Sequence, residues 1–256
     1  MASALIGYSG FVGGNLRSQQ SFDDFYNSGN IAAIAGKRYE RIVCAGVPAA
    51  KWIANREPEQ DRENIERLAG CLESVEAGKF ILISTVDVYP DPVGVDEGSD
   101  IDIGRCQPYG KHRLWLERFV AGRFNSFIIR LPGLFGRGLK KNIIYDFLHA
   151  NNLEQINPNG QYQFYYLEHL SRDIDTGLRH GLELLNVTSE PTRVGEVARI
   201  CLGHEFENAM DAPAARYDFH SRHAALFGGH DGYLYDKAQV LADLGEFVAR
   251  EGMPAS

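Results

Sequence analysis

The chain has 256 residues, enough to bury a full α/β core, and its 44% hydrophobic and 23% charged content is ordinary for a globular protein. A net charge of −8, from 26 basic and 34 acidic side chains, argues against a nucleic-acid surface, because phosphate backbones select basic patches. No apolar run reaches the ~18 residues of a membrane span, and MASALIGY lacks the basic segment and cleavage pattern of a signal peptide, so the expectation is a cytoplasmic protein with no membrane partner.

SALIGY (3–8) reads as a short strand, followed by a helix over 11–19 whose first turn starts among the glycines of LIGYSGFVGG. FDDFY is a weak second strand, and 22–34 mixes turn and helix signals. RIVCAGV (41–47) is a buried strand, 57–72 is a helix with Ile65, Leu68 and Leu72 at helical intervals, and FILISTVDVY (80–89) is another buried strand. The Asp-, Gly- and Pro-rich stretch 90–106 is a long loop. A helix spans 109–120 with Pro108 at its first turn, and SFIIRLPGLFG (126–136) carries a strand that ends at Pro132-Gly133.

Beyond residue 137 the pattern loosens. Helices are expected at 143–150, 170 to about 185, 193–202 and 236–250, with an aromatic run at 161–166 and a strand around 184–188. Strands buried on both faces and alternating with helices imply an α/β, Rossmann-like, doubly wound parallel sheet. The expected organisation is a dinucleotide-binding domain over 1–136 and a smaller C-terminal substrate lobe over 137–256, with a segment at about 165–190 returning to the sheet. The four cysteines are dispersed and read as reduced thiols, and His220, His223 and His230 match no metal-ligand spacing, so no metal is assigned.

Gly7, Gly10 and Gly13 stand where a phosphate needs backbone N–H groups at a helix N-terminus, with Ser9, Phe11 and Val12 between them. Their spacing is G-x-x-G-x-x-G. Together with ISTVDVY (83–89), Tyr109 followed four residues on by Arg113, and RLPGLFG (130–136), it resembles the extended branch of the short-chain dehydrogenase/reductase superfamily, which includes nucleotide-sugar epimerases, dehydratases and 4-keto-reductases. The resemblance covers about residues 3–136 well and the rest loosely.

The resemblance implies a nicotinamide dinucleotide held by the glycine turn, by Ala45, Gly46 and Val47 at the third strand end, by Tyr109 and Arg113, and by Pro132. Asn64 falls near the family's helical asparagine. Tyr109 is then the acid/base, Thr85 the hydroxyl that orients the substrate oxygen, and Arg113 stands where the family has lysine. To act at neutral pH as a base the phenol must fall from about 10 by about three, roughly 4 kcal/mol of phenolate stabilisation, which a cation at i+4 helps to supply. Arginine stays protonated, so a lysine-style relay is lost. The plainer alternative pairs Arg113 with Glu117 one turn on.

The second strand end, Tyr26-Asn27-Ser28, has no acid for ribose hydroxyls, which leans the cofactor toward NADP over NAD, with Arg17 or Arg38 as phosphate partners. Gly133, Asn142 and the cations Lys140 and Lys141 beside Arg137 are the candidate substrate contacts, facing a diphosphate or forming a solvated run. Phe164, Tyr165 and Tyr166 either stack a base or fill the lobe's core. The expectation is a reductase, ahead of an epimerase, acting on a nucleotide-linked keto-sugar, as a homodimer by family resemblance. The alternative is a dinucleotide-binding sensor or assembly protein without catalysis.

Overall fold

The computed structural model describes residues 2–210 and 213–251; the ends of the region expected to form the lobe, 252–256, and positions 211–212 lie outside them. In chain order the elements are β1 (Ser3–Ile6), α1 (Phe11–Gln19), β2 (Asp24–Tyr26), β3 (Arg38–Cys44), α2 (Lys51–Arg56), α3 (Pro58–Leu72), β4 (Glu76–Thr85), α4 (Pro108–Arg123) and β5 (Ser126–Leu131). They continue with β6 (Gly133–Phe135), α5 (Ile143–His149), β7 (Gln161–Tyr162), β8 (Phe164–Tyr166), α6 (Leu170–Arg179), β9 (Leu184–Asn186), β10 (Thr192–Arg193), α7 (Val194–Leu202) and α8 (Lys237–Glu251). Two compact units result: Met1–Asp91 with Gly98–Leu131 and Leu170–Asn186, and Pro92–Glu97 with Pro132–His169 and Val187–Ser256. No described helix is long and apolar enough to cross a membrane.

The first unit is a six-stranded parallel sheet in the order β2-β1-β3-β4-β5-β9. Alternate strand residues point to opposite faces. Ala4, Ile6, Ile42, Cys44, Phe80, Leu82 and Ile128 pack with Ile65, Leu68 and Leu72 of α3 and Leu116 and Val120 of α4. On the other face α6 lies so close that a Cβ on Gly177 would strike the Phe127 ring. The sheet is therefore covered on both sides, which explains the unbroken apolar runs of β4 and β5. Each fully buried Leu or Ile contributes about 1.5–3 kcal/mol. Pro58 and Pro108 start α3 and α4, where a missing N–H costs nothing.

Two expectations are corrected and one element is added. The first strand stops at Ile6 because Gly7 turns with φ +86°. The helix expected to reach 185 ends at Arg179, since Leu184–Asn186 hydrogen-bonds to β5 as the sheet's last strand. A short helix, α2, occupies residues left unassigned in the sequence.

One charged pair crosses the sheet interior. Arg130 of β5 donates to both oxygens of Glu117 on α4, with Nη2–Oε2 at 2.6 Å, and to the Tyr89 hydroxyl at 2.7 Å. Ser84 donates to Glu117 at 2.5 Å, and the Asn186 amide donates to Tyr89 at 3.0 Å. Ser84, Arg130 and Asn186 are direct neighbours on β4, β5 and β9. Glu117 is thus engaged by Arg130 and not by Arg113.

The second unit holds two small sheets, β6 parallel to β8 and β7 antiparallel to β10, with α5, α7 and α8. Phe164, Tyr165 and Tyr166 are buried, and Tyr166 stacks on Phe135 at 4.9 Å between centroids. The aromatic run is core.

Candidate active site

In an open parallel sheet, ligands bind at the carboxyl ends of the strands where the order reverses. Here that point lies between β1 and β3. Gly7 leaves β1 at φ +86°, and a Cβ on it would strike the Ala45 carbonyl that follows β3. A Cβ on Gly13 would strike the Gly7 carbonyl, so this glycine lets α1 sit tightly on the turn. Gly10 is the N-cap of α1, with ordinary φ −82° and no side-chain cap on the helix. The first-turn N–H groups of Phe11, Val12 and Gly13 have no intrahelical acceptor, and Ser9 and Gly10 are exposed. A glycine-rich turn at an uncapped helix start fits a pyrophosphate. Ala45, Gly46 and Val47, half-buried, form the opposite lip.

The acids near β2 lie at its start: Asp23 accepts from Ser3 and Asp24 from Tyr39 and Lys37, so neither stands at the carboxyl end. That end is Tyr26, followed by Asn27 and Ser28. Asn27 donates to the Tyr8 hydroxyl at 3.2 Å. The Arg17 guanidinium lies 5.6 Å from the Tyr8 ring and 5.2 Å from the Phe25 ring, beside the same corner. Arg38 does not belong there. It opens β3 and pairs with Glu76 at 3.0 Å at the amino edge of the sheet, so its proposed phosphate role is withdrawn.

Tyr109, in the first turn of α4, is 8% exposed, and its N–H donates to Asn55 Oδ1 of α2 at 3.0 Å. The asparagine against the tyrosine is therefore Asn55; Asn64 instead accepts from Arg67. Thr85, the last residue of β4, accepts the Asp87 N–H at 3.1 Å and hydrogen-bonds the Tyr109 phenol. Gly110 is required by this contact, since a Cβ there would strike the Asp87 carbonyl.

The charge around the phenol differs from expectation. Burial pushes the Tyr109 hydroxyl above its ordinary value of 10.0 and Asp87 adds to this, outweighing Arg113, Thr85 and Lys51, which act the other way. Burial thus favours the neutral phenol. Arg113 lowers its pKa but does not offset burial; its guanidinium is stacked on the ring, 3.8 Å from the centroid, and hydrogen-bonded elsewhere. Its Nη1 and Nη2 donate to Asp61 at 2.6 and 2.9 Å, and to the carbonyls of Tyr109 at 3.0 Å and Pro48 at 2.5 Å. Asp61 also meets His112 Nδ1 at 2.8 Å. Burial would raise the Asp61 carboxyl, but the hydrogen bonds from Arg113 and His112 outweigh it and hold the group below 3.8.

Pro132 and Gly133 follow β5 and lie in the second unit, where Gly133 donates to the Gln163 carbonyl at 3.1 Å. Lys140 and Lys141 are exposed. Asn142 caps α5, accepting from Ile144 and Tyr145 and donating to the Leu134 carbonyl at 2.8 Å.

No family model and no curated protein matches the chain. Solved structures do. A dTDP-4-dehydrorhamnose reductase from Bacillus anthracis in complex with NADP is 15% identical, with 97% of this chain and 99% of that chain covered at a TM-score of 0.74. UDP-glucose 4-epimerase from Thermotoga maritima with UDP-glucose is 15% identical, with 99% and 100% covered at 0.74. A NAD-dependent NDP-hexosamine 5,6-dehydratase involved in tunicamycin biosynthesis is 15% identical, with 99% of each chain covered at 0.76. The chain therefore has the Rossmann-like fold that this reductase, epimerase and dehydratase share.

Proposed function

We propose that the chain is an NAD(P)-dependent oxidoreductase of the extended short-chain dehydrogenase/reductase type that reduces the keto group of a nucleotide-linked sugar. The observation that carries this reading is a buried Tyr109 hydrogen-bonded to Thr85 in the same unit as an uncapped, glycine-rich turn. Gly7, Gly10, Gly13 and the Ala45–Val47 lip would hold the dinucleotide, which supplies a hydride. Tyr109 donates its hydroxyl proton to the substrate's carbonyl oxygen, and Thr85 orients that oxygen. A buried, neutral phenol suits an acid more than a base, which favours reduction. The acid-free end of β2 and the adjacent Arg17 favour NADP. The reading includes a homodimer packed through helices of the first unit, where Trp52 and Trp115 are exposed.

Steady-state consumption of NADPH with a nucleotide-linked 4-keto sugar tests the reading. Interconversion of sugar epimers without net NADPH use would reassign the chain as an epimerase. A second reading, dinucleotide binding without catalysis, draws on the commitment of Arg113 to Asp61. It wins if Tyr109→Phe leaves the biological output intact while Gly10→Val removes it.

A further inference from the structure

Helix α4 begins without a side-chain cap of its own: Gln107 stands at its N-cap and makes no side-chain bond to the first turn. The N–H groups of that turn have no intrahelical acceptor. The one at Tyr109 is met from another element, by Asn55 Oδ1 of α2 at 3.0 Å. The Tyr109 carbonyl accepts from Arg113 Nη1 at 3.0 Å, and the next residue, Gly110, rests so close on the Asp87 carbonyl that a Cβ would strike it. Arg113 Nη2 also donates to the Pro48 carbonyl at 2.5 Å. The segment 48–55 therefore grips Tyr109 twice, directly through Asn55 and by way of Arg113.

We propose that Asn55 is a positioning residue for Tyr109: its side-chain carbonyl caps α4 from α2 and fixes the turn that presents the phenol. This inference deepens the reading above and rests on it for the acid role of Tyr109. The hydroxyl that meets Thr85 lies at the far end of a rigid ring, so a small tilt of the first turn is magnified there. A misplacement of about 1 Å costs a reaction about 10²-fold. The bond needs only an acceptor. Aspartate can therefore replace asparagine, and its charge suits a helix N-terminus, whereas leucine fills a similar volume and accepts nothing.

The test is NMR of the full chain without cofactor, with tyrosine rings and threonine methyls labelled and the signals assigned from Tyr109→Phe and Thr85→Ser. Two quantities are read: the exchange rate of the Tyr109 amide and the nuclear Overhauser cross-peak between the Tyr109 ring and the Thr85 methyl. Asn55→Leu is expected to speed the exchange about tenfold, as for the loss of a cap, and to weaken the cross-peak; Asn55→Asp is expected to restore both. Circular dichroism and unchanged exchange in β4 and β5 verify the fold, and Asn55→Ala serves where the leucine variant does not fold. A wild-type amide rate in both Asn55→Leu and Asn55→Ala overturns the proposal, as does a wild-type spectrum without the cross-peak. Faster exchange with the cross-peak intact also overturns it, leaving Asn55 a helix cap only, and so does an Asn55→Asp variant that behaves like Asn55→Leu. Because no turnover is measured, these outcomes stand apart from those that decide the reductase reading.

Discussion

Arg113 stacks its guanidinium 3.8 Å from the centre of the Tyr109 ring and turns its nitrogens to Asp61 and two backbone carbonyls, so the cation four residues along α4 braces the tyrosine. The pair has a structural duty, and the acid role proposed for Tyr109 rests on a phenol that burial raises and Arg113 lowers only in part.

Tyr109→Phe deletes the proton donor and leaves the ring that Arg113 stacks on. Turnover should fall about 10²- to 10⁴-fold with the dinucleotide affinity unchanged, as measured by fluorescence titration. The wild-type reduction rate should be level through neutral pH. An acid must be protonated to act and burial holds this one above 10.0, so the decline comes only in more alkaline solution. A decline centred near pH 7 would exclude Tyr109 as the donor.

Asp61→Asn removes the negative charge facing the buried Arg113 guanidinium and one of the two oxygens it donates to there. Breaking such a pair costs about 3–5 kcal/mol, measurable by urea unfolding at neutral pH. The carboxylate is held below 3.8 in the folded chain, so its contribution is present above that value and lost as acid takes the pH down through the lower folded value. The variant should therefore show a smaller loss of stability on acidification than wild type.

Gly10→Val and Gly13→Ala separate binding from folding. A Cβ at Gly10 meets only the Gly7 carbonyl, at 3.3 Å, with φ in the ordinary range, so the valine variant should fold and lose dinucleotide binding. At Gly13 the added methyl has no room, and the melting temperature should drop as well. Equal melting temperatures for the two would contradict this division.

Arg17→Ala should raise the KM for NADPH about tenfold or more while leaving that for NADH nearly unchanged, if the guanidinium beside Phe25 and Tyr8 meets a 2′-phosphate. Parallel changes for both cofactors would remove Arg17 from phosphate recognition.

Much of the sheet was legible because its strands are apolar runs bounded by glycine or proline and its helices repeat every three to four residues. Gly7, Gly10 and Gly13 also announced the turn. What sequence order could not show was partnership. Asp61 looks like one more charge in PEQDRENIERL, yet it stands at helical spacing from Ile65, Leu68 and Leu72, on the buried stripe; that phase was the available signal. Arg130 likewise sits inside the apolar run SFIIRL. Lys51 and Asn55 left no such trace, because α2 is six residues long, with Trp52 and Ile53 exposed, and is held by packing on α3 and α4.

The row formed by Ser84, Arg130 and Asn186 bears on how the last strand finds its place. The chain departs after β5 and comes back to lay β9 alongside it, and only three residues make that strand. So short an edge has little power to choose its own alignment. A slide of one residue would turn Asn186 to the opposite face, away from Tyr89, and put a leucine beside the guanidinium. The polar row thereby acts as a detent for the returning segment, so Asn186→Leu should loosen the seating of β9, and hydrogen exchange at Ile128 and Arg130 should quicken before any other part of the sheet responds.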